Sequence, residues 1–172
     1  LCGTMSVGKT TLVNALKELD QFKGYNFATE RSQHLMSLGI PLNTDSTLKG
    51  QTVFLAERCG ELMHDNIITD RTILDVMAFT LNAKSIPHQD KEAFETYASE
   101  FIREYDYIFY ISPHGLEIED NGVRETDEHY RDLIDFTITT LIKRHGHKAG
   151  AIEKISGSTE ERIQQILNVT KL

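Results

Sequence analysis

The stretch Gly3-Thr4-Met5-Ser6-Val7-Gly8-Lys9-Thr10 decides the fold, because it fits the phosphate-binding pattern G-x-x-x-x-G-K-[ST] at every fixed position. Its two glycines allow consecutive backbone N–H groups to converge on one concavity, where they can bind phosphate oxygens. Lys9 can reach the β- and γ-phosphates of a nucleotide, and Thr10 can place its hydroxyl on a Mg²⁺ ion. The stretch therefore predicts a nucleotide site, with Lys9 facing the phosphates and not the core.

The residues around this loop support the same interpretation. After it, residues 11–19 place Leu12, Leu16 and Leu19 on one face of a predicted helix, whose N-terminal dipole also favours phosphate. Only Leu1 and Cys2 precede the loop, so we expect the first strand to be truncated in this sequence. The alternative is a glycine-rich turn that carries a surface lysine.

Short apolar runs alternate with helical stretches along the rest of the chain, which is typical of a parallel sheet covered on both faces. We predict one domain over residues 1–172, an α/β doubly wound sheet of five parallel strands. Helix 87–104 should bury Phe94, Tyr97, Ala98 and Phe101. The predicted strands after the first are 25–29, 67–69, 107–111 and 151–155, and the predicted helices are 47–65, 74–82, 87–104, 130–142 and one from 159.

Charge and composition limit the classes of function. The chain has 18 basic and 26 acidic residues, a net charge of −8, which disfavours an extended duplex nucleic-acid surface. The sequence shows no apolar run near the roughly 18 residues that a membrane helix needs. Two cysteines without metal-ligand spacing indicate a reducing compartment. We expect a cytoplasmic protein without a membrane partner.

Asp70 follows the buried strand 67–69, the position at which phosphate-loop proteins hold a carboxylate near Mg²⁺. A carboxylate at that depth needs a cation or a metal as partner. The alternative is that Asp70 or Thr72 caps the following helix. Arg71 is either a phosphate or substrate clamp or an ion-pair partner.

Glu30 and Arg31 follow the second predicted strand, where their side chains should face the cleft opposite the phosphate loop. Glu30 could orient an acceptor hydroxyl or accept its proton. Arg31 could hold an anionic part of the acceptor. The alternative is a capped helix start with a solvated arginine.

The long loop 114–126 and the helix after it contain Arg124 and Arg131. Loops of this length in compact domains are often functional lids. Two arginines at this junction could close over a transferring phosphoryl group and neutralise its oxygens. The alternative is a solvated charged loop.

The order of these motifs resembles the NadR-like P-loop kinases, which include ribosylnicotinamide kinases. The resemblance rests on the phosphate loop, the strand-end pair Glu30-Arg31, the segment 69–72 (Thr-Asp-Arg-Thr), the lid segment 120–124 and the Gly-Ser-Thr-Glu-Glu-Arg run at 157–162. The pair Asp70-Arg71 is also similar to the Asp-Arg step of thymidylate and deoxyribonucleoside kinases. The chain departs from the ribosylnicotinamide kinases by having Thr-Asp-Arg where they tend to have Asp-Thr-Asp.

The resemblance implies ATP and Mg²⁺ as cofactors, with Mg²⁺ near Thr10 and Asp70. It places lid arginines at Arg124 and Arg131. The ATP-binding residues it implies are Gly3, Ser6, Val7, Gly8, Lys9, Thr10 and Thr11 for the phosphates and Gly157 and Ser158 for the adenine.

The sequence thus predicts a Mg²⁺-ATP-dependent kinase that acts on a hydroxyl of a nucleoside, nucleotide or similar small molecule, with Lys9, Glu30, Asp70, Arg124 and Arg131 as the catalytic set. Two other functions stay open. One is a regulatory NTPase whose hydrolysis changes the state of a protein partner. The other is a kinase acting on a modified base within DNA.

Overall fold

A computed structural model describes residues 1–29, 32–116 and 127–172. The strands of this part of the chain are β1 (Asn26–Ala28), β2 (Ile67–Thr69), β3 (Tyr107–Ile111) and β4 (Ala151–Ile155). Its α-helices are α1 (Lys9–Lys17), α2 (Ser32–Ser37), α3 (Leu48–Glu61), α4 (Ile73–Asn82), α5 (His88–Ala98), α6 (Glu128–His145) and α7 (Thr159–Thr170).

The strands form two parallel pairs, β1 with β2 and β3 with β4. Residues 1 and 2 lie between the pairs: the Leu1 nitrogen donates to the Thr69 carbonyl, and the Cys2 N–H donates to the Phe109 carbonyl. The Ile111 N–H in turn donates to the Cys2 carbonyl. The parallel α/β arrangement is confirmed, whereas a continuous five-stranded sheet stays a prediction.

Both faces of this sheet region are covered, as β3 shows directly. Ile108 and Tyr110 lie in one buried cluster, and Phe109 and Ile111 lie in the other. Successive side chains of a strand point to opposite faces, so apolar residues on both faces require a layer of helices on each side. Helix α4 packs against α3, α5 and α6 on one side, and α1 packs against α7 on the other.

The four predicted strands after the first and most predicted helices are confirmed, with four corrections. Helix α3 ends at Glu61, four residues before the predicted end at residue 65. Helix α5 ends at Ala98, and residues 99–104 form a 3₁₀ helix instead of continuing the α-helix. Tyr97, predicted to be buried, is 64% exposed and makes an edge-on ring contact with Phe101. Leu133, which shares the helical spacing of the apolar residues that predict helix 130–142, is 44% exposed. Helix α2 begins at Ser32, directly after the pair Glu30-Arg31, where the sequence offered a helix start only as the alternative interpretation.

In the described ranges, no helix is long and apolar enough to cross a membrane.

Candidate nucleotide-binding site

The phosphate loop connects the short stretch Leu1–Cys2 to helix α1, and its backbone takes conformations that favour glycine. Gly8 has φ 80° and ψ 21°, immediately before α1 begins at Lys9. At Gly3 (φ +152°) an added Cβ would lie 2.6 Å from the Ile111 carbonyl oxygen, a distance that a real side chain could not occupy. The two glycines of the motif are therefore needed for the turn and for close packing against β3.

Lys9 is buried in the curl of its own loop, which corrects the expectation that it stays out of the core. Its Nζ donates to the carbonyls of Gly3 and Thr4, both at 2.6 Å. Burial, and secondarily the positive charge of Arg71, lower the pKa of Lys9 to about 8. The ammonium is thus held by the backbone carbonyls of its own loop.

Thr10 and Asp70 meet across the site, as predicted. The Thr10 hydroxyl donates to the Asp70 Oδ2 at 2.5 Å. Asp70 is buried, and its second oxygen, Oδ1, has no hydrogen-bond partner among the described residues. A hydroxyl and a carboxylate are the hard oxygen donors that Mg²⁺ takes, and the buried Oδ1 offers a further position. The residues therefore fit a Mg²⁺ ion.

The structure separates Asp70 from the cap of α4, because Thr72 occupies the N-cap position of that helix. The Thr72 N–H and hydroxyl both donate to Asp75 Oδ2, at 2.8 and 2.7 Å. Asp75 Oδ1 accepts from the Gly3 N–H at 3.0 Å. This fully buried carboxylate ties the start of α4 to the phosphate loop.

Asp75 was missed in the sequence because its signal is that of an ordinary helix cap. The spacing Thr72-x-x-Asp75 is a capping-box pattern, which predicts a helix start and nothing more. Its bond to Gly3 spans 72 positions in sequence. Only the folded chain brings the two together.

Of the remaining predicted residues, three lie in the described part of the chain and three do not. Arg131 is buried and donates from Nη1 to the Leu116 carbonyl at 2.7 Å, at the entrance of the loop that should form the lid. Gly157 (φ +93°) and Ser158, the N-cap of α7, form the turn after β4. Glu30, Arg31 and Arg124 lie outside the described residues, so their predicted roles stay predictions.

A cleft opens beside the phosphate loop. Met5 of the phosphate loop and Arg71, directly after Asp70, are two of the residues that line it. The Arg71 guanidinium lies 5.2 Å from the centre of the Phe79 ring. The other lining residues come from α2, the segment before α3, α3 and α4: Ser32, Leu42, Asn43, Ser46, Gln51, Phe54 and Val76.

The depressed pKa of Lys9 predicts a pH-dependent affinity for nucleotide. Below pH about 8 the ammonium is charged and available to phosphate, whereas above it the free protein loses this proton. Phosphate binds the charged form, so by linkage the Kd of Mg²⁺-ATP should rise roughly fivefold between pH 8 and pH 9. Isothermal titration across pH 6.5–9.5 measures this, with Lys9→Arg as the control whose charge does not titrate. A Kd that stays constant over the range in the unsubstituted protein would contradict it.

Comparisons with known proteins identify one family and two structures of similar fold. A family model described as an AAA domain matches residues 1–162. The fold is similar to the structure of deoxyadenosine kinase from M. mycoides with bound dCTP, at 19% identity over 99% of this chain and 96% of that one, with a TM-score of 0.66. The same enzyme with the products dCMP and a flexible dCDP bound gives a TM-score of 0.62, at 19% identity over 98% and 95% of the two chains.

No curated protein matches the sequence. The family model and the two structures support a P-loop fold of the nucleoside-kinase type, and they do not single out the NadR-like group. Because the match of the family model covers nearly the whole chain, the protein belongs to the AAA domain family that this model describes.

Proposed function

We propose that the protein transfers the γ-phosphoryl group of Mg²⁺-ATP to a hydroxyl of a nucleoside or a closely related small molecule. The observation that carries the proposal is the cleft at Met5 and Arg71, which adjoins the phosphate loop. A hydrolase needs only room for water at this position, whereas a kinase needs space for an acceptor beside the γ-phosphate.

The chemistry of the cleft suits a nucleoside. The rings of Phe54 and Phe79 supply flat apolar surface for a base, and the Gln51 amide supplies both a donor and an acceptor for its polar edge. Arg71 can contact the sugar or phosphate end that lies nearer to Asp70. The structurally similar enzyme is named as a deoxyadenosine kinase and holds dCTP or dCMP and dCDP in its structures, which supports a nucleoside as acceptor.

On this proposal, the phosphate loop binds the ATP phosphates and Lys9 neutralises the charge that develops on them. Thr10 and Asp70 hold Mg²⁺, which neutralises phosphate charge when bound. Arg124 and Arg131 complete the positive surroundings of the transferring group from the lid side. The turn at Gly157 and Ser158 receives the adenine.

A prediction concerns Glu30, the residue proposed to orient or deprotonate the acceptor hydroxyl. It comes two residues after β1, whose end pairs with the end of β2, since the Asp70 N–H donates to the Ala28 carbonyl. Glu30→Gln should lower kcat by roughly 10²-fold, the scale of a lost general base, with little change in the Kd of ATP. Steady-state kinetics with a saturating nucleoside measure kcat, and titration with ATP alone measures the Kd.

Arg31→Gln is the matched control for Glu30→Gln, because it changes the neighbouring charge without removing the carboxylate. It should act mainly on the KM of the acceptor. Loss of ATP binding with kcat retained in Glu30→Gln would place the carboxylate on the nucleotide side of the site and contradict its role.

A screen of purine, pyrimidine and pyridine nucleosides and deoxynucleosides with radiolabelled ATP tests the proposed function. At least one compound should accept the label, and the label should not appear mainly as inorganic phosphate. Label transferred only to water across the whole panel would overturn the proposal in favour of a hydrolase.

Gln51→Leu tests whether the described cleft holds that acceptor. The change preserves the approximate volume and removes the amide. It should raise the KM of the accepted nucleoside about tenfold, the scale of one lost hydrogen bond to a buried partner, and leave the KM of ATP unchanged. Equal nucleoside KM values in Gln51→Leu and the parent would place the acceptor elsewhere.

A further inference from the structure

Arg162 lies in the first turn of α7 and reaches the phosphate loop from outside the motif. Its Nη1 donates to the Val7 carbonyl at 2.7 Å, across 155 positions of sequence. The same nitrogen lies 3.2 Å from the position that a Cβ on Gly8 would occupy. The guanidinium therefore packs against the peptide that joins Val7 to Gly8.

This contact determines which way that peptide faces. A trans peptide is planar, so the Val7 carbonyl and the Gly8 N–H point in opposite directions. Because Arg162 holds the carbonyl on the side of α7, the Gly8 N–H is directed away from α7. The backbone of Gly8 is in the left-handed region, and the residue has no side chain to restrict it. The hydrogen bond from Arg162 to the Val7 carbonyl can therefore fix the orientation of the Val7–Gly8 peptide plane.

The buried positive charge of Arg162 is unfavourable for the free energy of the folded state. The residue is 7% exposed, its Nε has no hydrogen-bond partner, and no carboxylate lies within ion-pair distance of it in the described part of the chain. Burial lowers the pKa of its guanidinium. A buried cation without an anion is destabilising, and a phosphate in the adjacent loop would supply the missing negative charge.

The start of α7 is built to keep Arg162 in place. The Ser158 N–H donates to Glu161 Oε2 at 2.7 Å, and the Glu161 N–H donates to the Ser158 hydroxyl at 3.2 Å. At Gly157 an added Cβ would lie 2.2 Å from that carboxylate, so this reciprocal cap requires glycine there. The turn 157–158 and the phosphate loop are thereby connected through one arginine.

We propose that Arg162 is a positioning residue for nucleotide binding, which fixes the Val7–Gly8 peptide with its N–H toward phosphate and adds positive charge behind the loop. The proposal rests on the proposed nucleotide site. It assigns Arg162 to binding and not to the chemical step, because its contact is with the loop backbone.

The test compares the Kd of Mg²⁺-ATP in Arg162→Met, Arg162→Lys and the parent by isothermal titration, with kcat measured on the accepted nucleoside. Arg162→Met should raise the Kd about tenfold or more, the scale of a lost hydrogen bond to a charged group. At saturating ATP its kcat should stay within about twofold of the parent, since the lost contact acts on binding. Arg162→Lys keeps a charge and a donor, so it should recover most of the affinity.

Ile166→Val is the matched control for general weakening of α7, because it trims a buried residue one turn further along the same helix. It should lower the melting temperature without changing the Kd. A parent-like Kd in Arg162→Met, or an equal loss in Ile166→Val, would overturn the proposal. If Arg162→Met does not fold, the same comparison is made with Arg162→Gln, where a parent-like Kd again overturns it. A parent protein that binds no ATP would instead refute the proposed function.

Discussion

Lys9→Ala should lower the rate of phosphoryl transfer by at least about 10³-fold, the scale of losing a positive clamp on the transferring phosphoryl group. In the described structure the Lys9 ammonium has only the Gly3 and Thr4 carbonyls as hydrogen-bond acceptors. Phosphate oxygens are stronger acceptors than these carbonyls, because the bond is then charge-assisted on both sides. The lysine should therefore turn from its own loop to the nucleotide when ATP binds.

The fold should survive this substitution. Lys9 is buried and its pKa is depressed mainly by that burial, so the folded state holds its charge at a cost. Removing it should change the melting temperature little or raise it, which circular dichroism can measure. Lys9→Arg preserves the positive charge in a larger side chain. Its rate of phosphoryl transfer therefore shows whether the charge alone is sufficient or whether the size of lysine is also needed. Near-parent turnover in folded Lys9→Ala would mean that this loop takes no part in transfer.

Asp70→Asn should lower the rate about 10³-fold at millimolar Mg²⁺, because a metal at a phosphoryl oxygen supplies several kcal/mol of transition-state stabilisation. The amide oxygen of asparagine can still accept the hydrogen bond from Thr10, so the local structure should persist. What is lost is the negative charge and the buried oxygen Oδ1, which is available to a cation.

Magnesium titration of the rate measures this loss. The Mg²⁺ concentration at half-maximal rate should be at least about tenfold higher in Asp70→Asn, because one charged ligand of the metal is lost. The melting temperature should change by only a few degrees. Thr72→Ala is the control, because it removes the α4 cap and leaves both proposed metal ligands in place. Superimposable titration curves for Asp70→Asn and the parent would contradict the metal role.

The sequence was informative where a physical rule acts over a few neighbouring residues. The phosphate loop can be identified from eight consecutive positions. Strands β2, β3 and β4 begin and end at the predicted residues, because short apolar runs are bounded by polar residues. Thr10 and Asp70, which the resemblance implies as ligands of one Mg²⁺ ion, lie within hydrogen-bond distance, and their metal role stays a prediction.

It was less informative where contacts between distant segments decide the outcome. Tyr97 has the spacing of a buried residue on α5, yet it is 64% exposed and its ring contacts that of Phe101 edge-on. Asp75 has the pattern of a helix cap, and Arg162 entered the sequence analysis only as the end of the 157–162 run. Their bonds to Gly3 and Val7 appear only in the folded chain. The cleft could not be predicted for the same reason, because several segments contribute its walls.

A crystal structure with a non-hydrolysable ATP analogue, Mg²⁺ and the nucleoside selected by the screen tests the central claim most directly. The base should lie in the cleft between Phe54 and Phe79, with its edge at Gln51. The accepting hydroxyl should lie about 3–3.5 Å from the γ-phosphorus, the separation of a near-attack geometry. A nucleoside bound outside this cleft, or a hydroxyl that cannot approach the γ-phosphate in line, would contradict the account.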